Sequence, residues 1–383
     1  MDPDRRHLAL SLYGLSGSGA QRRMLTLAHA FAARGHQVDL VAVRSHGPLL
    51  RELSPLVRLV TLGPWQPYLL EGKNRRGRWA LTGVPALAHY LRREQPEVLL
   101  STSHFSNVTA TWAWSLARTS TKLVVRVSNH LSRSLTHTPS LRRWFELWPM
   151  RYFYTWADAI IAVSKGIADD VAQVTRVPRE RITMIYNPMI TPELQENLRV
   201  PLTHPWFTPD SPPVLLGVGR LVAQKDFPTL LKAFARMRAT REVRLMILGE
   251  GRKRAALEAL ARKLGVAGDV ALPGFVVNPF PYMVRASALV LSSAWEGLPG
   301  VLIEAMSCGC PVVSTDCPSG PAEILDGGVY GPLVPIGDDA ALAQATLSVL
   351  DAPLDAERLR ARAAMFSVDR AVDQYLEVLL GSQ

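Results

Sequence analysis

Short apolar runs alternate with amphipathic stretches along most of the chain. Residues 7–14 (HLALSLYG) predict a buried strand, and residues 24–35 have the periodicity of a helix that ends at Gly35. Residues 37–43 (QVDLVAV) predict the next strand, which completes a β–α–β unit. The same reasoning predicts further strands at residues 97–103, 122–128 and 158–164, and residues 181–188 end the first half.

The alternation starts again after residues 200–213, a stretch rich in proline and polar residues that predicts a linker. Strands are expected at residues 213–220 and 243–251, and helices after each of them. We therefore expect an α/β protein with a doubly wound parallel sheet in each of two domains, at residues 1–200 and 213–365. Open parallel sheets bind ligands at the carboxyl ends of their strands, so the two domains are expected to face a central cleft. A closing helix at residues 366–383 is expected to pack back on the first domain.

Length and composition agree with two domains, because the chain has 383 residues and 48% hydrophobic residues. The start of the chain does not resemble a signal peptide, and no apolar run approaches the roughly 18 residues of a membrane-spanning helix. These features predict a cytoplasmic protein. The three cysteines, Cys308, Cys310 and Cys317, are interpreted as buried free thiols rather than metal ligands, since they lack a CxxC spacing.

The formal net charge of +10 would suit nucleic acid, an anionic membrane surface or an anionic ligand. The sequence contains no evident zinc-finger, RNA-recognition or helix-turn-helix pattern, so a nucleic-acid partner is not expected.

A glycine-rich loop, GLSGSGAQRR at residues 14–23, follows the first strand and opens a helix. Gly17 and Gly19 would let backbone N–H groups approach a phosphate of a bound nucleotide. The spacing GxxGxG differs from the dinucleotide fingerprint, and Arg44 stands where an acidic residue would hold a ribose, so a dehydrogenase is not expected. A tight turn without a ligand remains the alternative.

Two segments of the second half carry charged residues beside glycines. GVGRLVAQKD (217–226) places Arg220 and Lys225 at the end of a strand, where they could neutralise a diphosphate. WEGLPGVLIEAM (295–306) contains two glutamates eight residues apart. We expect Glu296 in an entry loop and Glu304 on the helix that follows, with Pro299 in its first turn, so that both face one ligand.

These segments, together with ILGEG (247–251) and PGF (273–275), occur in the order and spacing of the family 4 retaining glycosyltransferases. Residues 291–316 resemble the signature of that family almost throughout, and the first half resembles it more loosely at residues 14–23, 159–167 and 184–188. The resemblance implies the GT-B fold. It also implies that a nucleotide-sugar, most often a UDP-sugar, is bound mainly by the second domain.

The resemblance further implies roles for individual residues. Glu304 would bind the ribose, and Gly249 and Val276 would border the nucleotide. The backbone across Gly297, Leu298 and Gly300 would face the sugar and the diphosphate. The catalytic residues implied by the resemblance are Arg220, Lys225, Glu296 and His130. No divalent metal is expected, because no DxD-like acidic cluster is present. In the first domain His130 competes with Ser128, Asn129 and His104 for the catalytic role.

The expected reaction moves a hexose or N-acetylhexosamine from the nucleotide-sugar to a lipid-linked oligosaccharide, a lipopolysaccharide or a polysaccharide, with retention of configuration. A nucleotide-sugar 2-epimerase and a non-catalytic sugar-nucleotide-binding protein are the alternatives. Residues 141–156 add a basic face that is rich in aromatic residues, including Trp144, Arg143 and Tyr152, and Arg75, Arg76 and Arg78 form a second basic cluster. This pattern predicts a peripheral position on the inner face of the cytoplasmic membrane, unless the face packs on the first domain.

Overall fold

The chain forms two compact units in a computed structural model. The structure describes residues 5–44, 46–62, 83–134, 151–191, 194–198, 200–318 and 320–381. The first unit comprises Met1–Pro188 together with Val368–Gln383, and the second comprises Met189–Ser367. The division after Pro188 precedes the predicted boundary at residue 200, because the polar segment that follows packs on the second unit.

The first unit contains a seven-stranded parallel sheet with strand order β3-β2-β1-β4-β5-β6-β7. Its strands are β1 His7–Gly14, β2 Gln37–Arg44, β3 Val57–Thr61, β4 Val98–Thr102, β5 Lys122–Val127, β6 Ala159–Ala162 and β7 Ile182–Met184. The edge strand β3 was not predicted. It is short and only partly buried, so it lacks the apolar run by which the other strands were recognised.

Helices cover both faces of this sheet, as a doubly wound fold requires. The described helices of the unit are Gly19–Ala33, Val84–Glu94, His104–Ala117, Leu131–Ser134, Lys165–Thr175 and Val368–Leu380. One core lies under the first and the last of these, with Met24, Phe31 and Tyr375 among its buried residues. The other core lies under Val84–Glu94, His104–Ala117 and Lys165–Thr175.

The C-terminal helix is bonded to the first unit through a buried arginine. Arg126 on β5 is fully buried, and its guanidinium donates to the Tyr375 hydroxyl at 2.8 Å, to Thr102 Oγ1 at 2.9 Å and to Asn187 Oδ1. Lys122 Nζ also donates to the carbonyl oxygen of Val378 at 2.7 Å. A buried cation is costly unless its N–H groups are bonded, so these contacts fix the last helix to the sheet.

The second unit contains a six-stranded parallel sheet with strand order β10-β9-β8-β11-β12-β13. Its strands are β8 Val214–Val218, β9 Arg244–Leu248, β10 Val270–Gly274, β11 Ala288–Leu291, β12 Val312–Thr315 and β13 Leu333–Val334. Its helices are Leu194–Leu198, Phe227–Arg238, Arg254–Lys263, Phe280–Arg285, Gly300–Ser307, Pro321–Ile324, Asp339–Asp351 and Ala356–Ala364. The strands predicted at residues 213–220 and 243–251 are present.

Residues 200–213, for which the sequence predicts a linker, contain a helical turn at Pro205–Phe207. The Arg244 guanidinium lies 5.2 Å from the centre of the Trp206 ring, and Phe207 packs edge-on against Tyr282 at 5.9 Å. The aromatic residues therefore attach this segment to the second unit, which composition alone does not indicate.

Part of the predicted membrane-facing segment lies outside the described residues. Residues 141–150, with Arg143 and Trp144, are outside them, as are Arg75, Arg76 and Arg78. Residues 151–156 are described and are helical. Within the described ranges, no helix has the length and apolar character needed to span a bilayer.

A fully buried carboxylate, that of Asp39 on β2, lies among three polar side chains. His7 Nε2 lies 2.9 Å from it, Arg58 donates two bonds of 2.8 and 2.6 Å, and the Tyr90 hydroxyl donates a further bond. Burial alone would raise the pKa of Asp39, but the bonds from Arg58, His7 and Tyr90 outweigh it and hold the pKa well below its usual value.

We expect Asp39→Asn to lower the free energy of unfolding by about 3 kcal/mol at pH 7, because Arg58 and Tyr90 lose a charged acceptor. A depressed native pKa stabilises the fold above the unfolded-state value of 3.8, and this stabilisation is lost as the pH falls below it. Urea unfolding should therefore give the same difference between wild type and variant at pH 7 and pH 5, and a smaller difference below pH 4. A difference that does not change with pH would contradict the assignment.

Candidate functional site

Glycines bring the loops at the carboxyl edge of the second sheet into backbone contact. A Cβ at Gly249 would lie 1.9 Å from the carbonyl oxygen of Gly219, and one at Gly251 would lie 2.5 Å from that of Leu221. Gly249 also has φ +148°, which disfavours other residues. Its N–H donates to the carbonyl oxygen of Gly274 at 2.8 Å. The ends of β8, β9 and β10 are thus fixed relative to one another.

Lys225 and Glu296 form an ion pair at this edge. Lys225 Nζ donates to Glu296 Oε1 at 2.6 Å, and the Ser293 hydroxyl donates to the same oxygen at 2.6 Å. Both charged side chains are largely buried. Gly219 leaves room for the lysine, because a Cβ there would lie 2.9 Å from Lys225 Cε. Sequence reasoning assigned the two residues to different parts of a ligand and did not pair them.

Arg220 lies at the same edge and is exposed. Within the described parts of the chain its guanidinium makes no hydrogen bond or ion pair. A guanidinium of this kind offers a planar fork of donors to an anion. Arg220 is therefore available to a ligand, whereas Lys225 already has a partner.

The structure confirms that Glu296 lies in a loop and Glu304 on a helix, Gly300–Ser307. Pro299 is the N-cap residue and not part of the first turn, so that detail of the prediction was wrong. A Cβ at Gly300 would lie 2.0 Å from Met189 Cε, so a larger residue there would require the end of the methionine side chain to move. Glu304 Oε1 would lie 3.8 Å from the same Cβ, so the glutamate extends back toward the helix N-terminus.

The backbone across Gly297 and Leu298 is supported by Gly320, which follows β12. A Cβ at Gly320 would lie 2.5 Å from Pro299 Cδ and 2.7 Å from the carbonyl oxygen of Gly297. The φ of Gly320 is +96°, so both space and conformation require glycine.

Val276 lies in the loop after β10, at the same carboxyl edge as Gly249. It is partly buried, whereas its neighbours Phe275 and Val277 are exposed, at 75% and 88%. Phe275 and Val276 thus follow directly after Gly274, whose carbonyl oxygen accepts the N–H of Gly249.

In the first unit, the predicted glycine-rich loop lies between β1 and the helix Gly19–Ala33. Gly17 has φ +88°, and Gly19 is the first residue of the helix. Ser18 and Gln21 form a capping box, in which each side chain accepts a bond from the backbone N–H of the other. Ser18 thus already bonds one of the free N–H groups at the start of this helix.

The candidates after β5 lie beside an aspartate that sequence reasoning missed. His130 Nδ1 lies 3.6 Å from Asp170 Oδ1, and Asp170 also accepts the N–H groups of Leu131 and Ser132 at 2.6 and 3.3 Å. Burial opposes ionisation of Asp170, but His130 and Ser132 lower its pKa overall. Asp170 is 40 residues farther along the chain, on the helix Lys165–Thr175, so no local pattern revealed this pair.

The other candidates in this region differ in their surroundings. The hydroxyl of Ser128 is buried and makes no hydrogen bond within the described part of the chain, and Asn129 is exposed. The side chain of His104 lies outside the described residues. The structure therefore brings His130 and Asp170 together.

The three cysteines are free and buried, as predicted. Burial raises the pKa of Cys308 and of Cys317 to about 12. Among the described residues, no group of three or more His, Cys, Asp and Glu side chains has an arrangement that could hold a metal ion.

Two family models match the chain. One is described as Glycosyltransferase Family 4 and matches residues 17–191, and the other is described as Glycosyl transferases group 1 and matches residues 212–352. The two matches together include Gly17 and Gly19 of the first unit, the glycines at the sheet edge of the second unit, and all the charged residues of the site. The chain belongs to the family 4 glycosyltransferases.

Curated relatives of this family 4 member include two bacterial transferases. An N-acetylgalactosamine-N,N'-diacetylbacillosaminyl-diphospho-undecaprenol 4-alpha-N-acetylgalactosaminyltransferase of Campylobacter jejuni is 32% identical over 198 residues, which are 52% of either chain. The lipopolysaccharide 1,6-galactosyltransferase of Salmonella typhimurium is 34% identical over 185 residues, 47% of this chain and 48% of that protein. The chain spans about half the length of these relatives.

Solved structures of similar fold cover nearly the whole chain. The lipopolysaccharide outer core galactosyltransferase WaaB superposes with a TM-score of 0.73 at 21% identity, over 97% of this chain and 99% of WaaB. Anabaena HepE in complex with UDP-glucose superposes with a TM-score of 0.76 at 19% identity, over 99% of this chain and all of HepE. Identities this low show the fold alone. They confirm the predicted GT-B class of two Rossmann-like units with parallel sheets.

The contacts of Lys225 predict how the ion pair responds to substitution. Lys225→Met should lower the free energy of unfolding by about 3 kcal/mol, because among the described residues the Glu296 charge then keeps only the Ser293 hydroxyl and Gln224. The double variant Lys225→Met, Glu296→Gln should recover much of this loss, since it removes both charges. Urea unfolding of the two single variants and the double variant measures the coupling. Additive losses would show that the two charges do not interact.

Proposed function

We propose that the chain is a retaining glycosyltransferase that moves a hexose or N-acetylhexosamine from a UDP-sugar. The acceptor is a lipid-linked oligosaccharide, a lipopolysaccharide or a polysaccharide. The observation that carries the proposal is the grouping at one sheet edge of the Lys225–Glu296 pair, an available Arg220 and the helix N-terminus at Gly300.

The donor is assigned by its complementarity to this edge. A nucleoside diphosphate carries adjacent negative charges, which suit a guanidinium fork, an ammonium group and a helix N-terminus. Glu304, which extends back over Gly300, is suited to accept hydrogen bonds from the two ribose hydroxyls. Val276 and Gly249 border the nucleotide. HepE has been solved with UDP and with UDP-glucose, which supports uridine as the base.

The reaction requires stabilisation of the charge that develops on the leaving diphosphate. Arg220 and Lys225 supply fixed positive charge there, a preorganised electrostatic effect that needs no divalent metal. Glu296 holds Lys225 in position and lies next to the donor sugar. The acceptor attacks the face that the diphosphate leaves, so that the anomeric configuration is retained. His130, oriented by Asp170, serves the acceptor side in the first unit.

The class of acceptor is proposed from the relatives. The Campylobacter relative is named for a diphospho-undecaprenol-linked acceptor, and the Salmonella relative is named for lipopolysaccharide. An acceptor carried by a lipid places the enzyme at the inner face of the cytoplasmic membrane. A nucleic-acid partner is not part of this proposal.

The two alternatives differ from transfer in what they do to the donor. A 2-epimerase converts a UDP-sugar without any acceptor, and a non-catalytic binder leaves it unchanged. Incubation with UDP-sugars, with and without a lipid-linked glycan, separates the three. Acceptor-dependent release of UDP supports transfer, and NMR of the product reports the anomeric configuration.

We expect UDP to stabilise the protein without added metal. At a concentration of one hundred times the dissociation constant the gain is about 2.7 kcal/mol, measured as a rise in the unfolding temperature. Arg220→Ala should reduce the rise, while Lys232→Ala, an exposed lysine on the helix Phe227–Arg238, should not. Stabilisation that requires magnesium or manganese and disappears with EDTA would exclude the metal-independent site.

Arg220→Ala and Glu304→Ala should affect different kinetic constants. Arg220→Ala should lower kcat by about a hundredfold or more, because the arginine acts on charge that develops in the transition state. Glu304→Ala should raise KM for the donor with little change in kcat, since the ribose contact is equally strong in the ground state and in the transition state. Initial rates against donor concentration, with Lys232→Ala as the control, measure both effects. A kcat within a factor of two of wild type for Arg220→Ala would refute its role.

A further inference from the structure

An apolar surface lies on the first unit. Trp112 and Leu116 are one turn apart on the helix His104–Ala117, and they are 37% and 54% exposed. Tyr152, at the start of the helical residues 151–156, is 50% exposed. Exposed aromatic and aliphatic side chains that lie together on a surface mark sites of interaction.

The rings of this surface are held by a buried phenylalanine. Phe153 is buried, and its ring packs edge-on against Trp112 at 5.3 Å and against Trp156 at 5.1 Å. Tyr152 packs on Trp156 at 4.9 Å. The helix His104–Ala117 and residues 151–156 are thus joined through aromatic contacts, which fix the orientation of the exposed rings.

Arginines border these rings. Arg92 is exposed and donates to the carbonyl oxygen of Leu116, and Arg151 is exposed and donates to that of Val174 at 2.9 Å. In the ranges that the structure describes, neither arginine forms an ion pair with a carboxylate. Asp158, the carboxylate nearest to these rings in the sequence, accepts a bond from the N–H of Leu123 at 2.7 Å. The positive charges beside the rings are therefore not neutralised by this part of the chain.

We propose that Trp112, Leu116, Tyr152, Trp156, Arg92 and Arg151 form a patch that docks on an anionic lipid bilayer. Tryptophan and tyrosine suit the boundary between lipid and water, because their rings are apolar and their N–H and O–H groups are polar. Arginines beside them attract anionic head groups, and the net charge of +10 acts in the same direction. The proposal rests on the proposed function only for its purpose, which is to bring the site to a lipid-linked acceptor.

The experiment is sedimentation of the full chain with vesicles of phosphatidylcholine, with and without phosphatidylglycerol, at low and high salt. Wild type should bind the anionic vesicles at low salt and be released by high salt. Leu116→Ser with Tyr152→Ser should weaken binding about tenfold through lost apolar burial. Arg92→Ser with Arg151→Ser should weaken binding to anionic vesicles about tenfold and leave the weak binding to neutral vesicles unchanged.

Leu56→Ser is the matched control, since Leu56 is 66% exposed in the same unit and precedes the edge strand β3. It should bind like wild type. Unfolding temperatures and the stabilisation by UDP, measured for every variant, verify that each one is folded. The patch is refuted if wild type does not bind anionic vesicles at low salt, or if both double variants bind as tightly as Leu56→Ser.

The proposed function is tested separately by transfer to a soluble oligosaccharide in the absence of vesicles. Loss of vesicle binding with intact transfer to the soluble acceptor supports the patch. Vesicle binding by wild type with no transfer to any acceptor would refute the proposed function and leave the patch standing.

Discussion

The candidate site depends on one close approach of backbone to backbone. The carbonyl oxygen of Gly219 occupies the space that a Cβ at residue 249 would need. Because both positions are glycine, the ends of β8 and β9 come together, and the stem of Lys225 can lie against Gly219. Lys225 then reaches Glu296, whose loop precedes the helix at Gly300. A side chain at residue 249 would separate the strands that present these charges.

The two units differ in how fully their charged side chains are bonded. In the first unit the carboxylate of Asp39 accepts bonds from Arg58 and Tyr90 and lies against His7. The guanidinium of Arg126 donates three bonds, one of them to the C-terminal helix. A fully bonded buried charge supports the fold and offers nothing to a ligand. In the second unit Lys225 and Glu296 lie at the sheet edge, and Arg220 has no partner among the described residues. Charge kept available in this way is what an anionic ligand needs.

The sequence predicted much of the fold because most strands are apolar runs followed by helical periodicity. It missed β3, which has an exposed Arg58, and it mistook residues 200–213 for a linker, since aromatic contacts such as Trp206 with Arg244 are not a local pattern. At the site it found the charged residues but not their partners. Ser293 and Asp170 are brought to Glu296 and His130 by the tertiary fold, so no spacing in the sequence identifies them.

Two helices open after glycine-rich loops at the carboxyl edges of the two sheets, and their caps rank them as anion sites. In the first, Ser18 and Gln21 cap the helix Gly19–Ala33. The Ser18 side chain therefore already accepts a hydrogen bond from the N–H of Gln21, one of the N–H groups that a phosphate would use. In the second, Pro299 is the N-cap of the helix Gly300–Ser307 and supplies no side-chain hydrogen bond. The N-cap side chain therefore does not compete with a phosphate for the first N–H groups of this helix. Arg220 and Lys225 add positive charge at the same edge. Since a helix N-terminus attracts anions most when its own chain does not cap it, the diphosphate is better matched to the second unit than to the first.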